Sequence, residues 1–298
     1  MRSAKIVVLG GAGMLGHKMF QRLGERFPET YCTLREDPQA EPFRRVDLLQ
    51  KPTVIQGVDV TDFGKLRETL ALLRPDFVVN CVGIIKQRDE AKSAIPSITI
   101  NSLLPHKLAA MAREWGGRVI HFSTDCVFSG KRGGYTEDDD SDADDLYGKS
   151  KFLGEVACEN ALTLRTSIIG REIVEHRSLL DWFLGQNHKI VRGYCKVIYS
   201  GVTTNHMADV VTNVIENHVD LHGLYQVVSD PISKFDLLSL IRDAYRLQIE
   251  IEPENETFSD RSMKGGKLRS AIGYQCPGWT ELVRQLAEDS TPYESWLR

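Results

Sequence analysis

No stretch of this chain is apolar for long enough to cross a bilayer, and no tract is densely basic. The first absence speaks against a membrane-spanning helix. The second, with a formal net charge of −4, speaks against a nucleic-acid partner. The six cysteines (Cys32, Cys81, Cys126, Cys158, Cys195 and Cys276) contain no CxxC pair, so neither a disulfide framework nor a zinc ribbon is expected. Reduced thiols suit a cytoplasmic protein. HExxH is missing, and His218 with His222 has no evident third ligand, so no metal site is expected. There is no internal repeat and no low-complexity linker. The apolar segment near the start runs into glycines rather than a cleavage site, which does not read as a signal peptide.

What is present is ordinary in amount and particular in arrangement. At 298 residues, 42% hydrophobic and 26% charged, the chain can bury a large core and has room for two lobes. Ile6 to Leu9 reads as a buried parallel strand and leads into Gly10, Gly13 and Gly16, spaced GxxGxxG. Leu15, Met19, Phe20 and Leu23 then recur at helical intervals, with Gly24 as the stop. Strand, glycine turn and helix start together make a pyrophosphate site. Glycine permits positive φ and close approach, and the helix N-terminus offers free N–H groups. Gly10, Gly13, Met14, Leu15 and Gly16 are the residues expected against a dinucleotide.

Along the chain, strands are expected at Thr30–Leu34, Val58–Val60, Asp76–Gly83, Arg118–Phe128 and Ala161–Ile169. Helices are expected at Asp62–Leu73, capped by Asp62, and at Ile98–Trp115, where Pro105 should cause a kink. This alternation predicts an α/β fold with a Rossmann-type doubly wound parallel sheet. The domain expectation is a nucleotide-binding unit over 1–170, its sheet completed by roughly 204–229, and a smaller α/β substrate lobe over 171–298. Arg35 ends the second strand, where arginine can pair with a 2′-phosphate, although Glu36 and Asp37 follow at once. NADP(H) is therefore favoured, with NAD(H) as the alternative. Asp59 and Val60 would lie beside the adenine, and Cys81, Val82 and Gly83 along the cofactor. Seven carboxylates between Glu137 and Asp145 read as a solvated surface without a chemical role.

Tyr147 and Lys151 are four apart at a helix start and so share a face. A nearby ammonium would lower the phenol from its ordinary value near ~10, fitting it for proton transfer at a carbonyl or alcohol. With the glycine loop, Asn80-Cys-Val-Gly83 and Ser123-Thr124, this pair resembles the extended short-chain dehydrogenase/reductase family, closely over the first 170 residues and loosely beyond. The resemblance implies an NAD(P) site, a nucleotide-diphospho-sugar substrate in the C-terminal lobe, and a Thr124–Tyr147–Lys151 catalytic set. It also implies a homodimer, while composition and run length leave no nucleic-acid or membrane partner expected.

Ser123-Thr-Asp-Cys-Val-Phe-Ser-Gly130, the segment Leu146–Glu155 and Arg165-Thr-Ser167 resemble the dTDP-4-dehydrorhamnose reductase branch most. That branch reduces a 4-keto-6-deoxy sugar on a nucleotide. The Asp-Glu pair of the 4,6-dehydratases is missing, because Cys126 follows Asp125. Cys126 and Ile168 stand where that branch has aromatic residues facing the sugar, which implies a different pocket. Asp125, Cys126 and Ile168, with Arg171, Arg192 and Arg261 for the diphosphate, are the substrate-binding candidates. An epimerase that recycles its NAD and a regulatory NADP-binding subunit are the alternatives.

Overall fold

Ile6–Leu9 is apolar on both faces, and it forms a buried interior strand of a seven-stranded sheet. The computed structural model describes residues 3–85, 92–174 and 178–296. Its strands are β1 Ile6–Leu9, β2 Thr30–Thr33, β3 Val54–Ile55, β4 Phe77–Asn80, β5 Arg118–Thr124, β6 Ala161–Thr166, β7 Ile168–Ile169, β8 Ile190–Tyr199, β9 Val202–Thr203, β10 Gly223–Gln226, β11 Ile232–Ser233 and β12 Glu250–Asp260. Its α-helices are α1 Met14–Arg26, α2 Phe63–Leu73, α3 Ala94–Ser97, α4 Leu104–Arg113, α5 Leu146–Leu153, α6 Leu179–Leu184, α7 Thr204–Asn217, α8 Lys234–Ala244, α9 Gly266–Ile272, α10 Trp279–Ala287 and α11 Tyr293–Trp296.

The large sheet runs β10-β6-β5-β4-β1-β2-β3, and every pairing in it is parallel. This is the expected doubly wound sheet, closed by β10 from late in the chain. Strand order reverses between β1 and β4, and such a switch point opens a crevice at the carboxyl ends of the strands. Alternate residues of β1 face opposite layers. Ile6 and Val8 join Met19, Phe20 and Leu23 of α1 and Val211 and Val214 of α7, whereas Val7 and Leu9 join Leu66 and Leu70 of α2 and Leu104 and Leu108 of α4.

The smaller lobe packs α6, α8 and α10 around the three-stranded sheet β11-β8-β12, with Leu180, Phe183, Leu237, Ile241 and Leu282 at its centre. The end of the chain then returns to the first lobe. Tyr293 and Trp296 enter the core shared with α1, the Tyr293 hydroxyl lies 2.8 Å from His17 Nε2, and buried Lys18 reaches Asp289 at 2.6 Å.

Several boundaries differ from the sequence reading. Val58–Val60 is loop, because Gly57 at φ +69° ends the extended path just after β3; Val58 still donates its N–H to Leu34 at 2.9 Å. Gly24 does not stop α1, which continues to Arg26. The kink expected at Pro105 is a widened π-helical segment, Ile98–Leu103, between α3 and α4. Pro105 has no N–H to offer the Asn101 carbonyl four residues back. That carbonyl instead faces Gly154, where a Cβ would lie 1.9 Å from it. Asp62 caps α2 as expected, accepting Lys65 N–H at 3.0 Å, a bond worth ~1 kcal/mol.

Candidate active site

The glycine loop forms at the end of β1. Gly10 takes φ +82°, and Gly16 brings α1 so close that a Cβ there would stand 2.0 Å from the Gly10 carbonyl oxygen. Gly13 occupies the N-cap of α1, Met14 and Leu15 open its first turn, and no side chain caps it or places a carboxylate there. The N–H groups of that turn are open to an anion, so the loop fits a pyrophosphate. Loop and sheet also bring Cys81 and Val82 to it: a Cβ on Gly10 would meet Val82 Cγ2 at 2.9 Å, and one on Gly16 would meet Cys81 Cβ at 3.4 Å. Gly83 follows, and a Cβ on it would meet Asn101 Oδ1 at 3.5 Å. Residues 86–91, the continuation of the loop expected along the cofactor, lie outside the described residues.

Arg35 lies just past β2, exposed, with its guanidinium on Glu36 at 2.6 Å. It also acts on Asp59, whose carboxyl is held below its usual range chiefly by the hydroxyl and N–H of Thr61. Val60 is buried among the residues packed under α2.

At the other side of the crevice, β5 ends where Thr124 turns its hydroxyl onto the Cys126 N–H at 3.2 Å. Asp125–Val127 thereby becomes a 3₁₀ turn instead of continuing the strand to Phe128. Cys126 consequently reaches the site from a turn and not from the Thr124 face of a strand. Tyr147, in the first turn of α5, lies against Thr124, Asp125 and Cys126. Asp145 caps this helix by accepting Gly148 N–H at 2.7 Å. One member of the acidic run therefore shapes the site, and the residue type four positions before Lys149 was a readable signal for it.

Burial is the largest influence on the Tyr147 phenol and pushes it up, with the Thr124 hydroxyl opposing the rise. The lowering expected from Lys151 does not prevail, and the Lys151 ammonium turns inward, to the Phe122 carbonyl at 2.7 Å. Burial brings Lys151 itself down to about 8, against an opposing pull from Glu155. Glu155 is fixed by a two-pronged bond from buried Arg165, at 2.8 and 2.7 Å, and by the Ser123 hydroxyl at 2.6 Å.

Of the substrate candidates, Asp125 is buried, and burial raises its carboxyl while Arg261 and then Lys234 oppose the rise. Arg261 reaches the Phe128 and Ser129 carbonyls at 2.9 and 3.3 Å, which places it beside the Asp125 turn. Arg171 is engaged elsewhere. Asp181 at 2.5 Å and Glu294 at 3.0 Å take its charge, and it covers the Tyr293 ring, so its structural task is to fasten the chain end. Arg192 is exposed on β8, next to Glu254. Ile168 lies in β7, half-buried against the first core.

Two residues were missed from sequence. Lys234, at the start of α8, holds its ammonium 4.3 Å over the Tyr199 ring and faces Asp125 and Cys126. Nothing local distinguishes it from a surface lysine. Asn101 grips both backbone groups of Ile84, at 2.9 and 3.0 Å, and the Ser150 hydroxyl at 3.2 Å, joining the loop after β4 to α5. Its signal was Pro105, four residues on. Among the described residues no three His, Cys, Asp or Glu side chains form a metal cluster, and no helix is long and apolar enough to cross a membrane.

Residues 4–291 match the family model described as RmlD substrate binding domain. The chain is 26% identical to methionine adenosyltransferase 2 subunit beta of Danio rerio, over 82% of this chain and 74% of that protein. It is 25% identical to the spore coat polysaccharide biosynthesis protein SpsK of Bacillus subtilis, over 96% and 97%. Among solved structures, dTDP-4-dehydrorhamnose reductase of Bacillus anthracis in complex with NADP superposes with a TM-score of 0.79 at 18% identity, over 95% of this chain and 98% of that one.

Proposed function

The chain belongs to the RmlD substrate binding domain family, and from that premise we propose that it is an NADPH-dependent reductase of a nucleotide-linked 4-keto-6-deoxy sugar. At the coarser level it is an NAD(P)H-dependent oxidoreductase acting on a nucleotide sugar, within the dTDP-4-dehydrorhamnose reductase branch. The observation that carries the finer reading is the meeting of Thr124, Tyr147 and Asp125 at the end of β5, across the switch point from an uncapped glycine turn.

The glycine loop with α1 would hold the pyrophosphate, and Cys81–Gly83 would line its path. When bound, the nicotinamide supplies a hydride to the ketone carbon. Thr124 hydrogen-bonds the ketone oxygen, and Tyr147 gives that oxygen its proton, so the carbonyl becomes an alcohol and the phenol a phenolate. The raised phenol is fully protonated at neutral pH and so carries the proton to be given, while burial makes its release harder, so the phenolate needs stabilisation within the site. Lys151, four residues on along α5, would stabilise the phenolate by swinging its amino group from the Phe122 carbonyl toward Tyr147. Arg261 and Lys234, which both act on Asp125, would meet the diphosphate and the sugar respectively. A homodimer fits the apolar side chains that the helical segment 94–113 and α5 leave exposed, including Ile95, Ile98, Phe152 and Leu153.

The test is loss of NADPH absorbance with a panel of 4-keto-6-deoxy nucleotide sugars. Stoichiometric oxidation should fall by roughly 10²–10⁴ in Tyr147→Phe with NADPH affinity kept. Turnover undiminished in that variant would remove Tyr147 from the chemistry. A second reading, a regulatory subunit, draws on the relative that is itself a subunit of another enzyme. NADPH binding without oxidation of any sugar in the panel would favour it.

A further inference from the structure

His121 lies in β5, three residues before Thr124, is 1% exposed, and has no task in the chemistry above. Its Nδ1 stands 3.1 Å from the Asn80 amide nitrogen, and its Nε2 stands 3.5 Å from Lys151 Nζ. The Asn80 amide has one workable orientation, because its Oδ1 accepts the Val82 N–H at 3.2 Å. Turned over, it would set NH₂ against that N–H. In the workable orientation the NH₂ donates to His121, so Nδ1 carries the lone pair and the ring proton sits on Nε2.

That proton points toward Lys151. An ammonium would meet it donor to donor, whereas a neutral amine offers a lone pair. The Phe122 carbonyl accepts from Lys151 in either form. At 3.5 Å the contact is too long to be a strong bond, and its effect is a bias on the proton, not a tether.

We propose that Asn80 and His121 are positioning residues for Lys151: the chain Val82–Asn80–His121 fixes the Nε2–H tautomer and biases Lys151 toward its neutral amine. The same chain ties that bias to the Cys81–Gly83 loop. The charged and titratable groups around Lys151 divide by element. From β5, His121 faces it and stays neutral, held well below its usual range by burial and then by Lys151. Beyond α5, Glu155 pulls the opposite way and favours the ammonium. From α4, His106 acts on His121 and further disfavours its protonation. Burial lowers Lys151 to about 8, and the proposed role of the His121 proton is a further bias in the same direction, carried by the contact geometry.

The proposal rests on the reductase reading only for its consequence, that turnover falls as pH rises through the Lys151 value. Its test needs no substrate. In the full chain carrying ¹⁵N-histidine, the resonance lost in His121→Gln should show a bare Nδ1 and a protonated Nε2. A protonated Nδ1 overturns the proposal. In the full chain carrying ¹³C-labelled lysine, Lys151 should titrate about one unit higher in His121→Gln, whose side-chain carbonyl can accept from the ammonium. It should rise less in His121→Phe, which removes the opposing donor and supplies no acceptor. Equal titration in wild type and both variants, each folded by circular dichroism, overturns it as well. If the labelled proteins behave as expected and no sugar is reduced, the positioning assignment stands and the reductase reading falls.

Discussion

The two sides of the crevice are built by different means. On the side proposed for the cofactor, the working surface is backbone: Gly10 at positive φ, Gly16 against the Gly10 carbonyl, and an α1 N-terminus with no side-chain cap. On the side proposed for the sugar, it is side chain, drawn from distant parts of the chain. Asp125 comes from a turn after β5, Lys234 from the start of α8, and Arg261 from just past β12. A backbone surface depends on a few residues that must be small. A side-chain surface depends on encounters that only the folded chain arranges, and it can be rebuilt without disturbing the sheet. The difference explains how one scaffold could keep its nucleotide and change its sugar.

The largest test of this contrast is the loop itself. In Gly16→Ala the new methyl would meet a backbone carbonyl at 2.0 Å, whereas in Gly13→Ala the same carbonyl is 3.4 Å away. Overpacking against an atom that cannot rotate aside costs about 1–3 kcal/mol or more. Gly16→Ala should therefore unfold at markedly lower urea and bind NADPH at least about tenfold more weakly, with Gly13→Ala nearer wild type in stability. Urea titration and fluorescence of bound NADPH read both. Equal behaviour of the two variants would remove the close approach from the account.

On the other side, Lys234→Met should leave NADPH affinity and stability near wild type and raise the sugar KM by roughly tenfold, the cost of one charge-assisted hydrogen bond. Its ammonium lies over Tyr199 and makes no hydrogen bond to any described residue, so it has donors to offer a substrate. Initial rates against sugar concentration at saturating NADPH decide it. An unchanged KM would reduce Lys234 to a packing residue.

The same contrast governs what could be read in advance. β1, the glycine spacing, the parallel alternation and the return of Gly223–Gln226 to the sheet follow from local patterns, because hydrophobic period and glycine placement act on neighbours in sequence. Tyr147 and Lys151 were legible as a pair on one helix. The direction in which Lys151 points was not, since Phe122 and His121 reach it from another strand. Arg171 shows the limit from the other side. As sequence it was a plausible phosphate ligand, and only the fold brings Asp181 and Glu294 to claim it. The third strand was expected at Val58–Val60 and stands at Val54–Ile55, on the other side of Gly57 and its positive φ, and the end of β5 was set too late because the Thr124 hydroxyl stops an extended run that apolar pattern alone would continue.

Arg35 is where the contrast is least secure, because it is a side chain on the backbone side. It is 69% exposed, and Glu36 already holds it at 2.6 Å, so a 2′-phosphate would have to draw it away from an existing partner. An exposed pair of this kind is worth at most ~1 kcal/mol and weakens with salt. Arg35→Ala should therefore reduce NADPH affinity by no more than about fivefold, leave NADH affinity alone, and lose much of its effect between 50 mM and 500 mM salt. Glu36→Gln should act in the opposite direction, since it releases the guanidinium for a phosphate. Competitive titration of both nucleotides against each variant separates these outcomes. A loss near a hundredfold in Arg35→Ala would mean that the cofactor side also turns on one side-chain encounter. The division between a backbone-built half and a side-chain-built half would then fail at its first exposed residue.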